Sequence, residues 1–428
     1  MSTGQFPVPT GQDPVPEFTP PPELSAPAAG AIGFVLRLGK ALHQSGYPAH
    51  LLERALTLVA RRLGLEAQFF STPTSIFAAF GVADRQQTTM TRVEPGEVNL
   101  ARLSRLDGVM RDVIGGRATA LQGSARVEHR LAAPGPYPAW LTVLAFGLAS
   151  SAVAVLLGGG RLEVAIAALL GLVTGGIGVV TGRSRTAQAI FEPTAAFAVA
   201  LLAALAEGIV GPYATGIATL AGLVVLLPGL MLTVAMTELA TQHLASGTAR
   251  LAGAMITFLS LAFGVALAAK VAALGFDLPA AAPPVPLPAW TAHLAVAVAA
   301  LAFCVLLKAE PRDAGWIVLA CALSFYSARA GREQLGPELG AFLGAFVIGA
   351  ASDAFARGFR RPATIALVPG VLIIVPGSVG YRGIMSLLES ETVAGIDTVF
   401  QVALIGVSIV AGLLVSNVLV PGERLPES

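Results

Sequence analysis

Residues 226–239 read LLPGLMLTVAMTEL, and the reading of this stretch decides the fold. It lies in an apolar region, yet Pro228-Gly229 interrupts it, and Thr233, Thr237 and Glu238 lie just beyond the interruption. Proline removes a helical hydrogen bond and clashes with the preceding turn, while glycine permits the backbone that results. In hydrocarbon an unpaired carbonyl is costly, so a break survives only where protein buries it or where it lines a wet cavity. The stretch is therefore either a proline kink in a packed helix or a half-helix end at a binding site. Thr233 and Thr237 share a helix face at i, i+4, with Glu238 beside it. Threonine in an apolar helix also bonds its own i−4 carbonyl.

The surrounding composition fixes the solvent. The chain has 428 residues, 55% hydrophobic and 12% charged. Soluble domains carry about 25% charged residues, so the class is a polytopic membrane protein. A net charge of +1 argues against a nucleic-acid or polyanion partner. Cys304 and Cys321 lie inside apolar runs, which excludes a disulfide framework or a thiolate metal site, and no motif calls for a cofactor. Residues 1–28 are rich in proline and lack a signal peptide's basic and apolar regions, so they are expected to be disordered.

Residues 29–132 read as a small α+β domain. Helical spacing covers 30–45 and 48–63, split by Gly46; 68–80 and 88–94 look like two strands, and 97–114 is a further helix. Ten stretches near the ~20 residues a bilayer requires then follow. They fall at about 140–158, 162–181, 192–210, 213–233 and 250–273, then 289–308, 314–328, 337–353, 363–380 and 399–420. All three tryptophans, Trp140, Trp290 and Trp316, stand at or near span starts, as interface anchors do. With the N-terminal domain inside, inner loops and flanks hold eleven basic residues against five outside, which predicts cytoplasmic termini.

The membrane half repeats itself, 138–274 against 287–421. Pro138-Ala139-Trp140 matches Pro288-Ala289-Trp290, and Val155-Leu156-Leu157 matches Val305-Leu306-Leu307. Glu192 matches Glu338, Glu207 matches Asp353, and Pro228-Gly229 matches Pro376-Gly377; Gly247 pairs with Gly395 and Gly264 with Gly412. An ordered series of this kind signals duplication. Five spans is an odd number, so the second unit enters from the opposite side. That inverted repeat is the plan of secondary transporters, whose substrate sites lie near the midplane at broken helices. Candidate substrate contacts are therefore Pro228, Gly229, Thr233, Thr237, Pro376, Gly377 and Ser378. Intramembrane carboxylates mark ion and proton pathways, which makes Asp353 and Glu192 the first candidates for proton coupling. Glu207, Glu338 and Glu238 come next, although acids at span ends are also commonly solvated, and Glu238 is expected at the cytoplasmic edge.

The N-terminal motifs carry a resemblance. Ser45-Gly46, Glu53, Thr72-Pro73-Thr74, Arg92-Val93 and the run LARLSRLDGVMRDVIGG (100–116) resemble the threonine/serine exporter family, across about residues 31–420. The resemblance implies a cytoplasmic domain fused to ten spans. It also implies export of L-threonine and L-serine across a bacterial inner membrane, driven by the proton gradient. His50 and Pro48 stand where many relatives carry acidic or hydroxyl residues. A different class stays open beside it: a hydrolase-like domain with Ser71, Thr72 or Ser75 as nucleophile and His43 or His50 as base. No G-x-S-x-G elbow or metal-ligand cluster supports that alternative. A third reading keeps a transporter of another small polar metabolite, with the domain as its regulator. Homo-oligomerisation is left open.

Overall fold

The structure, a computed structural model, describes residues 26–82, 86–275, 282–375, 377–388 and 392–420. The Pro-rich tail lies almost wholly outside these residues, as does Pro376.

The N-terminal domain begins with a helical hairpin, α1 (Ala26–Gln44) and α2 (Ala49–Arg62). The turn needs glycine: Gly46 has φ +83°, and a Cβ there would lie 2.9 Å from the Val98 backbone. A three-stranded antiparallel sheet comes next, in the order β1 (Ala67–Thr72), β2 (Ser75–Phe80), β3 (Gln87–Arg92). The single strand expected over 68–80 is in fact β1 and β2. Pro73 and Thr74 form a two-residue turn between Thr72 and Ser75, whose hydroxyls lie 2.7 Å apart. Ile76, Ala78 and Phe80 alternate into the core, the period of two expected of a half-buried strand. Helix α3 (Leu100–Ile114) starts at Asn99, whose side chain accepts from Arg102 N at 2.9 Å. A helix not expected from sequence, α4 (Ala120–Ala132), starts with a Thr119/Gln122 capping box. It buries only Gly123, Ser124 and Val127, too thin an apolar stripe to show in the pattern.

The described part of the apolar region is almost wholly helical. It comprises α5 (Ala139–Leu156), α6 (Arg161–Thr181), the short α7 (Arg185–Gln188), α8 (Phe191–Val210), α9 (Thr215–Gly222), α10 (Gly229–Ala240) and α11 (Leu244–Gly275). Then come α12 (Thr291–Leu306), α13 (Ala314–Leu335), α14 (Pro337–Phe359), α15 (Thr364–Leu372), α16 (Gly377–Leu388) and α17 (Thr392–Leu419). Among the described residues, seven helical stretches are long and apolar enough to cross a membrane, or eight if the bent pair α9/α10 is one span. Against the ten expected, α12 has only 16 residues, and α13 carries Arg329, Arg332 and Glu333 toward its end.

The two halves pack alike. Helix α5 packs on α6 as α12 packs on α13, α8 on α11 as α14 on α17, and α10 on α11 as α16 on α17. At the α8/α11 crossing a Cβ on Gly264 would meet Pro193 O at 2.5 Å; at the α14/α17 crossing one on Gly412 would strike Phe342 O. Helices α5 and α12 end in the same motif, with Gly158 at φ +84° and Lys308 at φ +52°. Gly159 N donates to Ala154 O at 2.9 Å, and Ala309 N to Cys304 O at 2.8 Å. Buried acids also recur 150 residues apart. Glu163 accepts from Gly160 N and Ala214 N, while Asp313 is gripped by both guanidinium nitrogens of Arg361. Each ties the start of its second helix to the entry of its fourth.

The N-terminal domain is joined to both halves. On the second, the first amides of α3 cap α12: Leu100 N donates to Leu307 O at 2.9 Å and Ala101 N to Lys308 O at 3.1 Å. Four orphan groups, two at each helix end, are thereby satisfied against each other. Lys308–Glu97, Arg105–Glu310 and Arg111 Nη1 on Arg360 O extend this contact. One buried apolar cluster runs from Phe34 and Leu38 through Leu103 to Leu307, Ile317 and Ile365.

Candidate functional site

The first break begins where α9 ends at Gly222. One tight turn over Val224–Leu226 leads to an extended Leu227, and α10 resumes after Pro228 with a bend of 50°. Thr174 of α6 donates to Gly222 O at 3.0 Å, satisfying a carbonyl that the break releases. In the second half Cys321 Sγ of α13 lies 3.4 Å from Pro369 O, a weaker donor at the matching level. Neither Thr174 nor Cys321 was selected from sequence, because each acts on a carbonyl 48 residues away.

The breaks meet. A Cβ on Gly229 would lie 2.5 Å from Val375 Cγ1 and 3.5 Å from Gly377 Cα; one on Gly377 would lie 3.4 Å from Leu227 Cβ. The close approach leaves no room for a side chain at Gly229, while a Cβ on Gly377 would make ordinary van der Waals contact. Of the sequence candidates, Gly229 and Gly377 are thus brought together, and Pro228 caps α10. Pro376 falls outside the described residues, and Ser378 is half-buried in the first turn of α16. Each threonine of α10 bonds its own helix: Thr233 Oγ1 donates to Gly229 O at 3.2 Å, Thr237 Oγ1 to Thr233 O at 2.9 Å. Their lone pairs remain available to a donor.

The other carboxylates stand at or near helix ends. Glu192 and Glu338 are half-buried in the first turns of α8 and α14, where the helix dipole favours an anion. Glu207 is buried in the last turn of α8 and accepts from Thr215 Oγ1 at 2.9 Å. Asp353 is half-buried in α14, one turn before Arg357.

Glu238 has the most consequential setting. It has no exposed surface, and three partners converge on it. Ala49 N, the first amide of α2, donates at 2.8 Å; Ser246 Oγ donates at 2.8 Å; Arg250 Nε lies 3.1 and 3.0 Å from the two oxygens. The N-terminal domain therefore docks on both halves through helix N-termini, α2 on this carboxylate and α3 on the end of α12. Helix α10, twelve residues or about 18 Å long, connects the break to this contact.

Around Glu238 the domain places His43, His50 and Glu53. His243 Nε2 is 3.4 Å from Glu53 Oε2, and its ring centre is 6.0 Å from that of His50. Glu53 Oε1 accepts from Ser71 N at 2.7 Å. Burial pushes the His50 imidazole down to about 4 and lowers that of His43; burial holds Glu53 above the usual carboxylate range. His43 Nε2 is hydrogen-bonded to the backbone carbonyl of Thr72 at 2.9 Å, and among the described residues no hydrogen bond joins either imidazole to the hydroxyl of Ser71, Thr72 or Ser75. Among the described residues, the hydroxyl and imidazole candidates of the hydrolase alternative are therefore not hydrogen-bonded as a nucleophile–base pair.

The buried imidazoles set a sign for pH dependence. Folded His50 binds its proton more weakly than the unfolded value of 6.5, so its stabilisation is complete above pH 6.5 and lost as pH falls toward 4. Glu53, raised in the folded state, acts in the opposite sense. We expect the unfolding midpoint of the purified chain to fall by several degrees between pH 7 and pH 5. His50→Gln is expected to flatten the profile; an unchanged slope in that variant would refute the assignment.

Comparison with known proteins now bears on this geometry. A family described as threonine/serine exporter matches residues 33–272, and a second of the same description matches residues 292–419. Among curated proteins, pheromone-regulated membrane protein 10 of Debaryomyces hansenii is 28% identical over 393 residues, covering 85% of this chain and 37% of that protein. The protein of the same name from Zygosaccharomyces rouxii is 26% identical over 375 residues, covering 83% and 37%. That of Eremothecium gossypii is 27% identical over 368 residues, covering 83% and 49%. The chain spans less than half the length of these relatives. No solved structure matches it. With broken helices crossing in an apolar bundle and family matches over both halves, the chain belongs to the threonine/serine exporter family.

Proposed function

We propose that this chain is a secondary transporter that exports small amino acids, L-threonine and L-serine, by proton antiport with alternating access. In this reading ten spans form two inverted five-helix repeats, with the N-terminal domain in the cytoplasm. The meeting of Gly229 and Gly377 carries the proposal. Helix breaks at corresponding positions support it, because transporters with such repeats bind a small substrate at broken helices, where backbone polar groups and hydroxyls are free to contact it. The docking pattern supports inversion. The domain touches the α10–α11 connection of one half but the α12–α13 and α14–α15 connections of the other. If both halves ran the same way, one surface would carry equivalent connections. Proton carriage is assigned to Asp353 or Glu192, with Glu207 and Glu338 behind them. Glu238 is assigned to docking.

Counterflow of labelled threonine and serine in proteoliposomes, with and without a pH gradient, tests the reading; no uptake of any small amino acid would reject it. Asp353→Asn or Glu192→Gln is expected to uncouple flux from the gradient. Within the site, Thr233→Val is expected to raise KM for threonine about tenfold while leaving the fold intact, as for one lost hydrogen bond to a charged ligand. The hydroxyl is not needed to complete the helix, so an unchanged KM would remove Thr233 from the contact set.

A further inference from the structure

We propose that the cavity between α3, α4 and the α12–α13 connection binds an anion of the phosphate class, and that its occupant fastens the N-terminal domain to the second half. The cavity is open on one side and has a volume of about 650 Å³. One stripe of α3 supplies Arg105, Gly108 and Asp112, and the facing stripe of α4 supplies Arg126 and Arg130. Glu310 and Arg312 close it from the membrane half.

Charge is the first argument. Four guanidiniums line the cavity against two carboxylates. Each carboxylate is already shared: Asp112 between Arg117 at 3.0 Å and Arg126 at 2.9 Å, Glu310 between Arg105 at 3.2 Å and Arg312 at 2.5 Å. The acids hold the arginines in place without neutralising them. Arg130 has no hydrogen bond or ion pair among the described residues. An arginine fork presents paired N–H donors that match the oxygens of a phosphate group. Both acids being engaged, no carboxylate is left for an ammonium, so a zwitterionic amino acid fits poorly.

Shape is the second argument. Gly108 lies inside α3, where glycine costs helix stability relative to alanine. A Cβ there would meet nothing within 4 Å. The open space lies against the guanidiniums and spans two bodies that already touch through Arg105–Glu310. An anion lying between Arg126 or Arg130 and Arg312 adds a bridge across that interface. The headgroup of an anionic phospholipid and a free phosphorylated metabolite share this chemistry. Both can reach the cavity, because α4 is only six residues from the start of α5.

The test uses the full chain. In neutral detergent, inorganic pyrophosphate is titrated by calorimetry and by thermal unfolding, against potassium chloride of equal ionic strength. In parallel, unfolding is followed in nanodiscs of phosphatidylcholine with and without phosphatidylglycerol. We expect pyrophosphate to bind and to raise the unfolding midpoint, with Arg130→Gln, Arg312→Gln and Gly108→Leu each weakening binding at least tenfold. Among the described residues Arg130 has no partner to lose, a Cβ on Gly108 meets nothing within 4 Å, and Arg312 gives up only an exposed ion pair with Glu310, so the variants are expected to keep the fold, which circular dichroism verifies. Stabilisation by phosphatidylglycerol alone, reduced by the same substitutions, assigns the site to a lipid headgroup. No stabilisation by either probe, or stabilisation undiminished in all three variants, overturns the proposal.

Discussion

Arg250→Ala is expected to destabilise the protein by about 3–5 kcal/mol, the cost of leaving a buried carboxylate without its charge partner. With Arg250 in place Glu238 has no solvent contact, so its charge is balanced by protein groups and not by water. Its remaining donors, Ala49 N and Ser246 Oγ, satisfy two hydrogen bonds but supply no full positive charge beyond the partial charge at the start of α2. Glu238→Gln is expected to be milder, since an amide oxygen still accepts from Ala49 N and no buried anion remains. The double variant should then be less destabilised than the sum of the single ones, because the two groups form one interacting pair. Chemical unfolding of the detergent-solubilised chain measures each value. Additive effects, or a loss under 1 kcal/mol for Arg250→Ala, would show that the carboxylate is not the attachment point.

Gly229→Val is expected to lower threonine counterflow by about a hundredfold, the scale of effect from displacing a binding group by about 1 Å. A Cβ alone already comes within 2.5 Å of Val375 Cγ1, so valine must push the two breaks apart. The chain should still fold, as overpacking costs about 1–3 kcal/mol. Gly216→Ala on α9 is the control, since its Cβ would meet nothing within 4 Å. The expectation rests on the transporter reading. If Gly229→Val transports as well as Gly216→Ala, the crossing is packing and not the site.

Several of these features were legible in the sequence because their signals are local or periodic. Pro228-Gly229 announces a break whatever surrounds it, and spacing alone pairs Gly229 with Gly377, which the structure brings together. The glycines at 264 and 412, matched by spacing, do lie at corresponding helix crossings. Ser45-Gly46, Glu53, Thr72-Pro73-Thr74, Arg92-Val93 and the run 100–116 together carried the resemblance to the family that matches both halves. Other features had no local signal. Pro73 fits an edge strand and a tight turn equally well, and only pairing of β1 with β2 separates the two. The recurrence of Glu163 and Asp313 was hidden because their partners differ, backbone amides for one and Arg361 for the other.

The sequence by itself determined that this is an apolar, mostly helical membrane protein of the threonine/serine exporter family, with a helix broken at Pro228-Gly229. Hydrophobic periodicity, proline and glycine act on their own neighbours, so these properties need no three-dimensional partner. Tertiary structure decided what surrounds Glu238. Its hydrogen bond to Ala49 closes 189 residues of separation, and its neighbours in sequence place it at a helix end that could equally be solvated. A carboxylate's role depends on whether water or protein surrounds it, and that is settled only when the N-terminal helix α2 arrives with its amide and covers it.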